Sequence, residues 1–159
     1  MELAGSCHCQ AVRFSVEAGA PVPFLHCYCS ICRKIGGSGG FGINLGADFA
    51  TLAVMGREHI KVYRSKIADA TGLMVESPGE RSFCGNCGSA LWLWDPRWPE
   101  LVHPYAGAID TDLPEPTLRS HIMMTSKPGW VAADLREGDQ VFDEYPDESL
   151  ADWHKRMGL

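Results

Sequence analysis

Seven cysteines in three tight groups, with none left over, constrain this chain more than any other feature. Cys7 and Cys9 stand in GSCHCQ, Cys27, Cys29 and Cys32 in HCYCSICRK, and Cys84 and Cys87 in FCGNCGSALW. Cysteines one or two residues apart can aim their sulfurs at a single point about 2.3 Å away, the distance zinc takes, whereas a disulfide framework has no need of doublets. Seven thiols divide as four plus three. A closed set of four thiolates is structural, while three protein ligands leave one position for water or substrate.

The rest of the composition narrows the class. A chain of 159 residues fits one domain spanning 1–159, with a core over 5–135 and a helix-bearing C-terminal segment over 136–159. With 45% hydrophobic and 21% charged residues it falls among ordinary globular proteins, and no apolar run is long enough to span a bilayer. The opening MELAGSCHC has no basic or apolar leader, so the expected compartment is the cytoplasm, where thiols stay reduced. A net charge of −6 with 14 scattered Lys and Arg argues against nucleic acid as a partner, and no membrane partner is expected. A homodimer is left open.

Hydrophobic patterning predicts a mostly β chain. Ala11 to Glu17 alternates with period two, and Val22 to His26 reads as a strand delivering the chain to the second cysteine group. Short runs at Phe41–Leu45, Ile60–Tyr63, Ala90–Trp94, Tyr105–Ile109, His121–Met124 and Val131–Leu135 read as further strands. Ser30 to Ile35 is expected to form one helical turn, ended by the glycines of GGSGG. One longer helix is expected after Ser149, with Leu150, Trp153 and Met157 on one face, acids before it and bases at its end.

The CxC and CxxC pairs, Cys7 with Cys9 and Cys84 with Cys87, are the natural halves of a four-sulfur site, since strand-like sequence flanks each and Gly85 and Gly88 permit a tight knuckle turn. The triplet Cys27, Cys29 and Cys32 could then bind a second ion on one face and leave a position open. A different division, Cys29, Cys32, Cys84 and Cys87 against Cys7, Cys9 and Cys27, is not excluded by spacing. The triplet could also be closed by one of His8, His26, His59, His103, His121 or His154, or be a metal-free redox pair at Cys29 and Cys32, although the βαβ context of such pairs is missing. His121 taken alone reads as a satisfied histidine, and Trp92, Trp94 and Trp98 as core and rim aromatics.

Taken in order, GSCHCQAVRF, HCYCSICRKIGG, FCGNCGSALW, HIMMTSKPGW and EYPDESLADW resemble the pattern of the glutathione-dependent formaldehyde-activating enzyme family (the GFA domain), which also includes the centromere protein V group. The resemblance runs from about Gly5 to Trp153. It implies a β-tent (Mss4-like) fold of short antiparallel strands with zinc knuckles and two zinc ions per chain: Cys7, Cys9, Cys84 and Cys87 structural, and Cys27, Cys29 and Cys32 at the active site. The implied activity is a carbon–sulfur lyase forming S-hydroxymethylglutathione from glutathione and formaldehyde. Zinc there would ionise the incoming thiol or polarise the aldehyde oxygen, or Cys29 would leave the metal and form a mixed disulfide with the tripeptide. Arg33, Lys34 and Lys127 are the expected anchors for the two carboxylates of glutathione. The alternative is a non-catalytic, zinc-stabilised binding module of the same fold.

Overall fold

Alternation of buried and exposed residues builds the first sheet in a computed structural model, which describes residues 1–159. Leu3 and Gly5 point inward from Glu2–Ser6, and Phe14 and Val16 from Arg13–Glu17. These two strands pair antiparallel, and Ala53–Met55 completes a three-stranded sheet. Gly5 has no room for a side chain, since a Cβ would fall inside the Phe14 ring and the Ala108 carbonyl.

A five-stranded antiparallel sheet lies against it, ordered Ala47–Asp48, Leu101–Pro104, Ala90–Trp94, Glu80–Cys84 and Ile60–Tyr63. Phe14 meets Trp92 edge-on with ring centroids 5.1 Å apart, and Leu3, Val12, Leu91 and Val102, all fully buried, fill the space between. Burying each such side chain stabilises by about 1.5–3 kcal/mol. A bulge interrupts the register: Ser82 pairs with Trp92 but Phe83 pairs with Ala90, so Leu91 is the extra residue. Leu91 and Trp92 are therefore both buried although adjacent.

The four-stranded sheet carries the triplet. Its order is Gln140–Val141, Arg119–Ile122, Phe24–Cys27, Gly42–Asn44. Phe24–Cys27 pairs antiparallel with Gly42–Asn44, but Arg119–Ile122 runs parallel to both Phe24–Cys27 and Gln140–Val141, an exception to the otherwise antiparallel pairing. Lys66–Ala68 and Met74–Glu76 form a separate exposed hairpin.

Helix α1 spans Ser30–Ile35 and helix α2 spans Leu150–Met157, as the sequence predicts. Ser149 caps α2 by accepting from the Asp152 N–H (3.1 Å), and Gly158 ends it in the left-handed region at φ 73°. The buried Trp153 docks α2 by donating its indole N–H to Gln140 Oε1 at 2.9 Å.

Two expected strands do not form. In Tyr105–Ile109 the small residues Ala106, Gly107 and Ala108 make a 3₁₀ turn, leaving only single bridges, Asn44 to Tyr105 and Gly5 to Ile109. Val131–Leu135 is irregular; Val131 is buried against Gly40, while its neighbours face solvent or one another. The GGSGG segment packs at three places, Gly36 against the Tyr105 ring, Gly37 and Gly39 against Phe41, and Gly40 against Trp130 and Val131.

Candidate functional site

Two knuckle turns assemble the four-sulfur group. Glu2–Ser6 runs into the first, where the Gln10 N–H donates to the Cys7 carbonyl (2.9 Å) and Gln10 adopts φ 63°. Glu80–Cys84 runs into the second, where the Gly88 N–H donates to the Cys84 carbonyl (2.8 Å) and Gly88 takes φ 77°. The Val12 N–H also donates to Cys7 Sγ at 3.2 Å, a contact that favours the thiolate. Cys7 and Cys84 are buried, whereas Cys9 and Cys87 are exposed.

The dimensions of this group fit zinc. Cys7 Sγ lies 3.5 Å from Cys9 Sγ, which lies 3.7 Å from Cys84 Sγ. A tetrahedron with metal–sulfur bonds of about 2.3 Å has edges of about 3.8 Å. All four sulfurs lie within 4.8 Å of one another.

The triplet forms the second group, its three sulfurs also within 4.8 Å of one another and joined by no His, Asp or Glu donor. Cys27 ends its strand, paired with Ile122. Cys29 caps α1, its Sγ accepting from the Cys32 N–H at 3.3 Å. Gly42 backs Cys32 so closely that a Cβ there would stand 3.3 Å from the Cys32 Cβ. Hydrogen bonds from Cys27 and then Cys32 push the Cys29 thiol far down against the opposing effect of burial. Cys27 and Cys32 are buried and Cys29 is half-buried.

Tyr28, between two of these cysteines, is fully buried and held at both ends. Its N–H donates to the Ile122 carbonyl (3.1 Å), and its hydroxyl lies 2.9 Å from His121 Nδ1. His121 Nε2 is 3.1 Å from Asp139 Oδ2, and Asp139 is gripped by Arg119 through Nε (3.1 Å) and Nη2 (2.6 Å). The satisfied-histidine reading of His121 thus holds, with both ring nitrogens occupied. Its neighbour His26, stacked on Phe41 at 4.9 Å, is pushed down to about 4, by burial first and then by its neighbours, the Arg119 guanidinium among them.

The expected anchors are dispersed. Lys34 lines a cleft of about 200 Å³ with Ser30, Ile31, Ile35, Tyr63, Ser65 and Lys66. Lys127 is turned into its own loop, donating from Nζ to the Val131 carbonyl at 2.7 Å. Arg33 Nε is buried without a partner. Sequence reasoning passed over Arg81 and Tyr105, two further residues with buried polar groups, because neither stands in a motif.

A mostly β chain that gathers seven cysteines into a set of four and a set of three has two groups that could each hold a metal ion. The family model described as "Glutathione-dependent formaldehyde-activating enzyme" matches residues 2–126, and the chain belongs to that family. It is 57% identical over 159 residues to a Halomonas elongata protein named "Putative glutathione-dependent formaldehyde-activating enzyme", covering 100% of this chain and 98% of that one. A Rhodobacter sphaeroides protein of known crystal structure superposes with a TM-score of 0.53 at 26% identity, over 72% of this chain and 92% of that chain. No helix here is long and apolar enough to cross a membrane.

Proposed function

We propose that this protein is a zinc-dependent carbon–sulfur lyase acting in the synthetic direction, joining glutathione to formaldehyde as S-hydroxymethylglutathione in the cytoplasm. Cys7, Cys9, Cys84 and Cys87 hold a structural zinc, and Cys27, Cys29 and Cys32 hold a second at the reacting centre. One observation supports the reading: four sulfurs gather within 4.8 Å of one another, whereas the other three converge with no His, Asp, Glu or fourth Cys among them. When bound to the triplet, zinc supplies an open coordination position at which a thiol ionises near neutral pH.

The chain's own residues do the rest. Tyr28, pinned between Cys27 and Cys29, fixes their separation, and α1 fixes Cys32 against Cys29. The sulfur lone pair of the ionised thiol attacks the aldehyde carbon. The carbon–sulfur bond forms, the carbonyl π pair moves to oxygen, and the oxygen takes a proton from water. Addition without a covalent enzyme intermediate needs no oxidant or reductant.

The test is direct. Zinc-loaded protein is mixed with glutathione and formaldehyde, and exchange between free and adducted thiol is followed by NMR. Acceleration over the spontaneous rate is expected; a rate equal to the uncatalysed one would sink the activity and leave the metal sites untouched.

A further inference from the structure

A cleft of about 340 Å³ opens on the inner face of the five-stranded sheet, and no cysteine lines it. Strand register builds its floor. Ser82 stands opposite Val62 on one side and Trp92 on the other, and Glu80 stands opposite Trp94, so these five side chains share one face. The row Trp92, Ser82, Val62 begins in the core, where Trp92 meets the Phe14 ring at 5.1 Å, and ends in solvent, with Val62 50% exposed. The apolar face thus continues past its contact with the first sheet. A volume of this size suits a small molecule, whose sites run from about 300 Å³ upward.

Two 3₁₀ turns on either side of Ala53–Met55, an edge strand of the first sheet, supply the walls. The turn Phe49–Thr51 stacks Phe49 on the Trp94 ring, with centroids 5.2 Å apart, and Leu52 follows it into the lining. The turn Arg57–His59 brings Arg57 to the cleft. That second turn is fixed at both ends: Gly56 enters it at φ 76°, where a Cβ would stand 1.9 Å from the Ala11 carbonyl oxygen, and the Gly85 N–H donates to the His59 carbonyl at 2.7 Å. The backbone is held and the Arg57 side chain is left free. The other polar groups are already engaged. The Trp94 indole N–H donates to the Pro99 carbonyl at 3.1 Å, so Trp94 offers the cleft only its ring. Glu80 is bonded by Arg64, and Glu58, beside Arg57 in the turn, lies 3.6 Å from His59 Nε2. Arg57 is therefore the unpaired charge of the lining.

We propose that this cleft binds a small carboxylate with a flat apolar body, its ring lying against Phe49, Trp92, Trp94 and Val62 and its carboxylate on the Arg57 guanidinium. Aromatic walls favour a flat ring in stacked or edge-on contact. A guanidinium presents paired N–H donors that match the two oxygens of a carboxylate, which sets the sign and the shape of the polar end. A cationic ligand fits worse, since it would have to take Glu80 from Arg64 and sit beside Arg57. The inference goes beyond the function proposed above and does not depend on it, because binding here uses no cysteine.

Three probes that share one ring system and differ in charge test it: naphthoate, naphthamide and naphthylmethylammonium, each titrated by calorimetry into the zinc-loaded, full-length protein. Naphthoate should bind at one site per chain, about tenfold or more tighter than naphthamide, with the ammonium weakest. Arg57→Met should lower naphthoate to the affinity of naphthamide and leave naphthamide unchanged. Val62→Glu, which sets a negative charge in the lining, should weaken naphthoate by about tenfold or more and serves alone if Arg57→Met does not fold. Both replace exposed side chains. No naphthoate binding, equal affinity for the three probes, tightest binding of the ammonium, or naphthoate binding unchanged in the variants would overturn the inference. So would a dimer that excludes naphthoate and is broken by Val62→Glu, since a second copy would then cover the cleft. A wild-type protein that accelerates no glutathione–formaldehyde exchange removes the proposed function and leaves the cleft standing, because the titration reads binding alone.

Discussion

The hydroxyl of Tyr28 and Nδ1 of His121 lie 2.9 Å apart inside the protein, both residues fully buried. Asp139, ionised, can only accept, so His121 donates from Nε2, and its Nδ1 accepts from the tyrosine. The chain Arg119, Asp139, His121, Tyr28 thus ties the C-terminal segment to the residue between two cysteines of the triplet. Tyr28→Phe keeps the ring and leaves His121 Nδ1 buried without a donor, a loss of about 1–3 kcal/mol. Urea unfolding should register that loss, and a chelator should strip metal from the triplet faster than from the four-sulfur site.

Asp139 also sets an acid limit. Burial raises its pKa, but hydrogen bonds from Arg119, the Arg136 N–H and His121 outweigh burial and hold the carboxyl well below the usual range. A carboxyl depressed in the fold stabilises fully above its unfolded pKa of about 3.9 and loses that contribution as the pH falls toward the folded value. The urea midpoint of the wild-type protein should therefore fall below about pH 4 more steeply than that of Asp139→Asn. At neutral pH the variant should lose about 3–5 kcal/mol, because Arg119 is left with only its Asp134 contacts. Equal pH slopes would remove Asp139 from the account.

Gly5 tests the packing between sheets. Gly5→Ala places a methyl against the Phe14 ring and the Ala108 carbonyl. A cost of about 1–3 kcal/mol is expected from overpacking, read as a lower urea midpoint with an unchanged m-value.

What could be read from the sequence follows how local each signal is. Period-two alternation marked Arg13–Glu17, apolar runs marked Ile60–Tyr63 and Ala90–Trp94, and the Ser149 cap with its apolar face marked α2. Glu2–Ser6 and Leu101–Pro104 were missed, since ELAGS and LVHP carry weak strand signals and are held by partners far along the chain. Ala106–Ala108 reads as apolar but is too small to favour a pleated strand over a turn. The cysteine groups were legible because doublets declare themselves. The burial of Arg81 was not, because only the fold shows that this charged strand residue is buried with its Nε unpartnered.

The two metal groups should fail differently. Cys84→Ser removes a buried thiol from the four-sulfur group that joins the first and five-stranded sheets, and structural zinc contributes about 10–16 kcal/mol in small metal-folded peptides. Loss of the β circular-dichroism spectrum, together with loss of zinc, is the expected result. Cys29→Ser should leave that spectrum intact and reduce bound zinc from two ions to one.

The central claim is that chemistry belongs to the triplet and folding to the other four cysteines. One measurement addresses it most directly: glutathione–formaldehyde exchange and zinc content determined on the same preparations of wild-type and Cys29→Ser protein. The account predicts accelerated exchange with two zincs in the wild type, and a folded variant with one zinc and only the spontaneous rate. A Cys29→Ser protein that keeps both zincs, or the full exchange rate, would contradict it.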